Sequence, residues 1–403
     1  MKYVVVLGDG MSGWKIPSLD NKTCIEAAKT PALDKMAPLS EIGLCKTVPD
    51  RFKPGSDIAN MSVLGFDTER FFTGRSPLEA VAMGIELKDT DVTLRCNFVT
   101  LSDEEKFEDK TMLDYSAGDI TTAEAQQLLD DLKILLDENH TLYTGVSYKH
   151  CLVVNNGVTG HDLTPPHDIS DKQIKDYLPK GPFAKTYLEM MKKSFEILKD
   201  HPVNLKRISE GKNPANSIWL WGEGTKPALE NFEKLRGAKG GIISAVDLVK
   251  GLGICAGLKV IEVPDITANY KTNFSGKAKA AAEALIFGGL DFVYVHIDAA
   301  DECAHHGDVG HKVYSIEQID GVVKTISDRL TAAGEDFAML VCPDHPTPCA
   351  LKTHTSEPIP YLLYTNVKNL SNGASRYSES EAEKTGLYIP EGHKLIDRLF
   401  SIK

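Results

Sequence analysis

The chain has 403 residues, of which 42% are hydrophobic and 25% charged, and its formal net charge is −12. That length admits one large domain or two ordinary ones, and no apolar run approaches the roughly 18–20 residues of a membrane span. The acidic balance argues against nucleic acid or an anionic membrane as a partner; an anionic substrate would need local cations, such as bound metals.

MKYVVVLGDG is too short in its apolar part for a secretion signal and reads as a first strand over 3–7. Apolar, β-branched runs at 151–155, 217–221, 258–263, 292–297, 338–342 and 360–365 predict further strands. Between them, 122–139, 185–201, 276–288 and 316–334 have helical periodicity, as in Leu128, Leu132 and Leu135. Strand–helix alternation indicates an α/β protein with a mostly parallel sheet flanked by helices. The eight cysteines are scattered without a CxxC pair, as in a reduced cytoplasmic protein.

Six of the twelve histidines fall between 296 and 354, most of them beside an aspartate just after an apolar run. The segments are FVYVHIDAADECAHHGD (292–308), LVCPDHPTP (340–348) and LKTH (351–354), and the first strand ends in the same way at Asp9. Residues just past the carboxyl ends of parallel strands converge on one crevice, so the pattern suggests a metal centre. Asp301 and His305 share a helix face at four-residue spacing. Glu302 and His306 do the same, and Asp298 competes, so spacing alone leaves the choice open. Asp344, His345 and His354 complete the donor set, and with carboxylates and imidazoles in supply the nearby Cys303 and Cys342 are not needed. Three histidines and several carboxylates favour Mn²⁺ or Zn²⁺ over an all-oxygen site, and the donors exceed what one ion needs. Two divalent ions are expected, with manganese the leading candidate and zinc or magnesium the alternatives.

GDGMSG (8–13) matches a dinucleotide fingerprint, but Trp14 to Pro17 is a poor start for the helix that motif requires. Asp9 reads instead as a metal ligand, with glycines letting the turn pass close to the ion. PGSDIANMSVLGFD (54–67) offers Ser56 and Ser62 as nucleophiles that a metal could activate. Metal-type residues occur only near the two ends of the chain. That suggests a discontinuous catalytic domain, 1–74 and 238–403, with a second α/β domain inserted over 75–237.

Together, LGDGM (7–11), TPALDKMA (30–37), PGSDIANMSVLGFD, TGRSPLEA (73–80), LRCNF (94–98), TPPHDI (164–169), the DxxxH at 301–305, PDHPTP (343–348) and His354 carry a family resemblance over nearly the whole length. The chain resembles the archaeal-type branch of the cofactor-independent phosphoglycerate mutases, of the alkaline phosphatase superfamily. The resemblance implies an alkaline-phosphatase-like fold and a metal-dependent enzyme interconverting 3- and 2-phosphoglycerate through a phosphoserine. By position it makes Ser62 that nucleophile, with Asp9, Asp344 and His345 holding one ion together with Ser62, and Asp301, His305 and His354 holding the other. It implies that the inserted domain grips a small phosphorylated metabolite with cations and closes over it. Arg95 is the leading candidate there, followed by Lys149, His150, His167 and Asp168.

Where the family commonly reads HVKAPDEAGH, this chain has HIDAADECAH (296–305), so Asp298 replaces a lysine, Ala300 a proline and Ala304 a glycine. Lys149 stands where an arginine is common. These changes alter the substrate side and leave the metal ligands intact. The alternative they raise is a related phosphotransferase on another small hydroxy acid, such as a homoserine kinase, although no Walker-type phosphate loop is present.

Overall fold

The computed structural model describes residues 1–403. Its strands are β1 (Lys2–Gly8), β2 (Glu41–Cys45), β3 (Val92–Leu101), β4 (Met112–Asp114), β5 (His140–Tyr143), β6 (Lys149–Val154), β7 (Ser217–Thr225), β8 (Gly240–Ile243), β9 (Lys259–Val260), β10 (Phe292–Ile297), β11 (Phe337–Cys342), β12 (Ile359–Thr365) and β13 (Tyr388–Ile389). The chain forms two compact units, Met1–Phe72 with Ala228–Lys403, and Thr73–Pro227. No helix is long and apolar enough to cross a membrane.

The first unit is built on an eight-stranded sheet in the order β13-β2-β12-β11-β1-β10-β8-β9. β1 lies between β11 and β10, parallel to both. β12 runs antiparallel to its two neighbours, and the remaining ladders are parallel. β1 reads as an unbroken apolar run because both of its faces are covered. Val4 and Val6 join Val293, Val295, Met339 and Val341 in one core with side chains of the helices Phe274–Ile286 and Val309–Ala332. The alternate residues Val5, Leu7, Tyr294 and Leu340 are equally buried on the opposite face. Each such side chain taken fully out of water stabilises the sheet by about 1.5–3 kcal/mol.

The second unit has a five-stranded sheet in the order β4-β3-β6-β5, with β7 also paired to β3. All of its ladders are antiparallel, unlike the parallel pairing that strand–helix alternation suggests. β5 and β6 are joined by only a few residues, a connection that allows antiparallel neighbours alone.

Two borders also differ from expectation. The stretch 228–237 packs within the first unit, where the buried Phe232 stacks on Phe292 with ring centroids 4.6 Å apart. The helix expected over 122–139 ends at Leu132, followed by a single tight turn. There the Asp137 carboxylate takes the Asn139 N–H and pairs with the His140 ring, offering the backbone a local alternative to continued helix.

Candidate metal centre

The three central strands of the first unit deliver the candidate ligands. Asp9 follows β1 directly, Asp301 and His305 lie on the helix Ala299–His305 just after β10, and Asp344 and His345 follow β11. His354 comes from the loop that leads to β12. Adjacency of β11, β1 and β10 thus gathers residues more than 300 positions apart at one sheet edge. Gly10 has φ +58 and a Cβ there would collide with Asp301 and Thr347, so the turn after Asp9 requires glycine.

Donor atoms of Asp301, His305 and His354 lie within 4.8 Å of one another, as do those of Asp9, Asp301 and His345. Each imidazole is anchored through Nδ1. His305 Nδ1 donates to the Lys352 carbonyl at 2.9 Å, His354 Nδ1 to the Pro54 carbonyl at 3.3 Å, and His345 Nδ1 faces the Thr347 hydroxyl at 3.2 Å. The Nε2 atoms therefore point inward. His305 Nε2 is 3.0 Å from Asp301 Oδ2, His354 Nε2 is 3.5 Å from Asp301 Oδ1, and His345 Nε2 is 3.3 Å from Asp344 Oδ2. Fixing one ring nitrogen so that the other faces a shared centre is how proteins present histidine to metals.

The electrostatics point the same way. Burial, reinforced by Asp344, Asp301 and Asp298, pushes the Asp9 carboxyl well above its ordinary range. Burial would also raise Asp301, but hydrogen bonds from His305 and His354 overcome it and hold that carboxyl well below. The Asp301 hydrogen bond in turn raises His305 to about 9. Asp9 Oδ1 is buried with no hydrogen-bond partner. An unpaired buried carboxylate oxygen costs several kcal/mol, and a cation is what this donor set fits. Carboxylates mixed with imidazoles suit a divalent transition metal.

Ser56 opens the helix Ser56–Val63, and its Oγ lies 3.3 Å from His345 Nε2. Asn60, one turn on, holds this helix to the centre. Its amide donates to the Ser56 carbonyl at 2.9 Å and to Asp344 Oδ2 at 3.0 Å, while its Oδ1 accepts from the Tyr294 hydroxyl at 2.8 Å. Ser62 is not brought to the cluster. It lies six residues beyond Ser56, which is about 120° round the helix and roughly 9 Å along it. Its buried Oγ faces Gly392, where any Cβ would strike it. His306 is exposed and pairs with Glu302 at 3.2 Å, away from the other ligands. Asp298 sits at the turn before Asp301. Burial raises its carboxyl to about 8 against the opposing field of Lys277, whose ammonium donates to the His296 carbonyl at 2.8 Å.

In the second unit, Arg95 Nε is 2.8 Å from Glu79 Oε2, and Arg75 Nε is 2.9 Å from Glu79 Oε1. The Arg95 guanidinium stacks 4.1 Å over Trp221, whose other neighbour is the edge of the His167 ring at 5.2 Å. Glu79 is held below its ordinary range against burial by Arg95 and Arg75, with a weaker contribution from Lys149. Arg75, Arg95 and Lys149 thus form one cationic patch around a single carboxylate, and His167, which burial and the two arginines lower below the ordinary imidazole value, adjoins it through Trp221. Asp168 is exposed and within 3.8 Å of His167. His150 does not belong to the patch. It packs edge-on against Phe98, accepts from the Gly145 N–H, and burial lowers it to about 3, so it is a neutral core residue. Arg75, Glu79, Asn60 and Thr347 are not distinguished by residue type; the four-residue spacings of Ser56 with Asn60 and of Arg75 with Glu79 are the signals that point to three of them.

A family model described as 2,3-bisphosphoglycerate-independent phosphoglycerate mutase matches residues 37–204. Among curated proteins, an enzyme of that name from Methanosarcina mazei is 45% identical, covering 98% of each chain. One named as a probable 2,3-bisphosphoglycerate-independent phosphoglycerate mutase from Geobacter sulfurreducens is 44% identical, covering 99% of each. A solved Pyrococcus horikoshii protein matches with a TM-score of 0.82 at 26% identity, over 99% of this chain and 96% of that one. The cofactor-independent phosphoglycerate mutase of Thermoplasma acidophilum shares the fold, with a TM-score of 0.67 at 23% identity and full coverage of both chains. With full-length identity at this level and the ligand geometry above, the chain belongs to the 2,3-bisphosphoglycerate-independent phosphoglycerate mutase family.

Proposed function

We propose that this chain interconverts 3- and 2-phosphoglycerate through a phosphoserine formed on Ser56, rather than on the Ser62 expected from the sequence. The observation that carries this is the Ser56 hydroxyl, 3.3 Å from His345 Nε2 at the start of a helix. The dipole at that helix end favours an anionic phosphoryl group. Asp9, Asp344 and His345 would hold one divalent ion and Asp301, His305 and His354 another, with manganese the leading choice; such ions lower the pKa of a serine hydroxyl and neutralise phosphoryl oxygens.

In the first half-reaction, Ser56 Oγ attacks the substrate phosphorus, the bond from phosphorus to the glycerate oxygen breaks, and the serine proton ends on that oxygen. In the second, the neighbouring glycerate hydroxyl attacks the phosphoserine and its proton returns to Ser56 Oγ. No atom is gained or lost over the cycle. The patch of Arg75, Arg95 and Lys149, with the His167 ring N–H beside it, is suited to the substrate's phosphate and carboxylate, with Arg95 the leading contact because its planar fork matches either group. All eight cysteines are free and seven are buried, which supports placing the enzyme in a reducing cytoplasm.

The alternative, phosphorylation of another hydroxy acid such as homoserine, is not favoured. Relatives at 44–45% identity carry the mutase name, and Lys277 returns to the 296–298 turn the positive charge that Asp298 removes. Purified protein loaded with Mn²⁺ should interconvert phosphoglycerates without added bisphosphoglycerate. Absence of that activity beside ATP-dependent phosphorylation of homoserine would reverse the conclusion.

A further inference from the structure

β10 carries Tyr294 and His296 two residues apart, so both side chains leave the same face of the strand. Both are fully buried, and neither is among the ligands above. Tyr294 acts on Asp344 at one remove, through Asn60. His296 acts directly on Asp9, its Nε2 lying 2.9 Å from Asp9 Oδ2. On the far side of the ring, Nδ1 is 3.1 Å from Ser244 Oγ, and that oxygen accepts the Val246 N–H at 3.0 Å. A carboxylate that holds a cation is ionised and can only accept, so in that state Nε2 would carry the proton and Nδ1 would take the Ser244 hydroxyl. The ring is held at both nitrogens, and its own backbone carbonyl is tied to Lys277 at 2.8 Å. Asp9 is thereby left with Oδ2 engaged and Oδ1 buried without a hydrogen bond, 3.6 Å from His345 Nε2.

We propose that His296 is a positioning residue, not a ligand: by engaging Oδ2 it orients Asp9 so that Oδ1 is presented to the ion shared with Asp344 and His345. This rests on the reading of Asp9 as a metal ligand. The competing arrangement makes His296 a ligand itself, since donor atoms of Asp9, His296 and Asp298 also lie within 4.8 Å of one another. One feature opposes it: the Lys277 ammonium lies beside that cluster and already supplies positive charge to Asp298, whereas no lysine acts on Asp301.

The test is metal binding by the full-length protein, with Mn²⁺ affinity from competition against a chromophoric chelator and the number of ions from elemental analysis. His296→Leu should bind as many ions as the native chain, one of them about 10–100-fold more weakly, and its turnover should recover at saturating Mn²⁺. His296→Gln, whose amide nitrogen can stand in for Nε2, should restore most of the affinity. Ser244→Ala, a smaller change that tests the same relay should the leucine variant not fold, should weaken the same ion a few-fold. Native affinity in His296→Leu or in Ser244→Ala, or one ion fewer in His296→Leu, overturns the proposal. Asp9→Ala should lose one ion outright. A full complement there would overturn the ligand assignment itself, a failure distinct from native affinity in the histidine variant.

Discussion

Replacing Ser56 by alanine removes a single oxygen 3.3 Å from His345 Nε2. Gly55 is the residue that caps this helix, so alanine at the next position leaves the fold intact. If that oxygen is the covalent nucleophile, its loss should lower kcat by three or more orders of magnitude. At about 1.4 kcal/mol per factor of ten, that is at least about 4 kcal/mol of transition-state stabilisation. Ser62→Ala is the matched control on the same helix. Its hydroxyl faces Gly392, so its removal should change stability by about 1 kcal/mol and leave kcat within about threefold, the effect expected of a residue off the reaction path. The assay is phosphoglycerate interconversion with Mn²⁺ and no bisphosphoglycerate, with thermal unfolding as the check on folding. Mass spectrometry of acid-quenched enzyme should find phosphate on the peptide containing Ser56, and none in Ser56→Ala. A folded Ser62→Ala enzyme without turnover, beside a near-normal Ser56→Ala enzyme, would refute the reasoning.

Other expectations test the surroundings. Arg95→Lys keeps the charge but loses the planar fork, so KM for phosphoglycerate should rise about 10–100-fold, roughly 1.4–3 kcal/mol, with metal affinity unchanged; an unaltered KM would remove Arg95 from the substrate site. His305 is raised from 6.5 to about 9 by Asp301. Its pairing therefore stabilises the chelator-treated protein fully below about pH 6.5 and is lost as pH rises through about 9. The melting-temperature difference between native protein and His305→Asn should shrink across that window, while Mn²⁺ affinity should rise as the proton is lost; a difference that grows with pH contradicts this. Gly10→Ala should destabilise by about 2–4 kcal/mol, combining a left-handed backbone with overpacking against Asp301, as denaturant titration would show. Lys352 holds φ +56 while its carbonyl anchors His305. Lys352→Gly should therefore be neutral or up to about 1 kcal/mol stabilising, and a large loss of stability would mean that the lysine side chain itself matters.

What the sequence reveals is unevenly distributed. β1, β10 and β11 are legible because each is buried on both faces and so reads as a continuous apolar run, and because a ligand follows each run within a few residues. β2 (EIGLC) and β8 (GGII) are not. They are short and contain glycines whose absent side chains make room for neighbours, as Gly43 does for the Leu387 carbonyl. Their strand form is imposed by pairing partners rather than by intrinsic preference. At the centre, metal-ligating residue types announce themselves, while the residues that aim them do not. Asn60, Thr347, Ser244 and Tyr294 are ordinary polar residues whose roles exist only through contacts across the fold. The two serines illustrate the same point: motif position favours Ser62, whereas the helix period puts Ser56 and Asn60 on one face, the face beside His345.

β1, which sits at the centre of the sheet, also dictates an order of events during synthesis. Its partners β10 and β11 begin about 290 and 335 residues later in the chain, whereas the second unit is one continuous segment, Thr73–Pro227. At about 5–20 residues per second, the first strand must wait roughly 15–60 s for β10 to leave the ribosome. The second unit has every residue it needs well before then. Val4, Val5, Val6 and Leu7, wholly buried in the finished protein, spend that interval without the strands that cover them. On the proposed ligand assignment, metal loading is consequently a late step, since Asp9 meets Asp301 and Asp344 only after β10 and β11 have emerged.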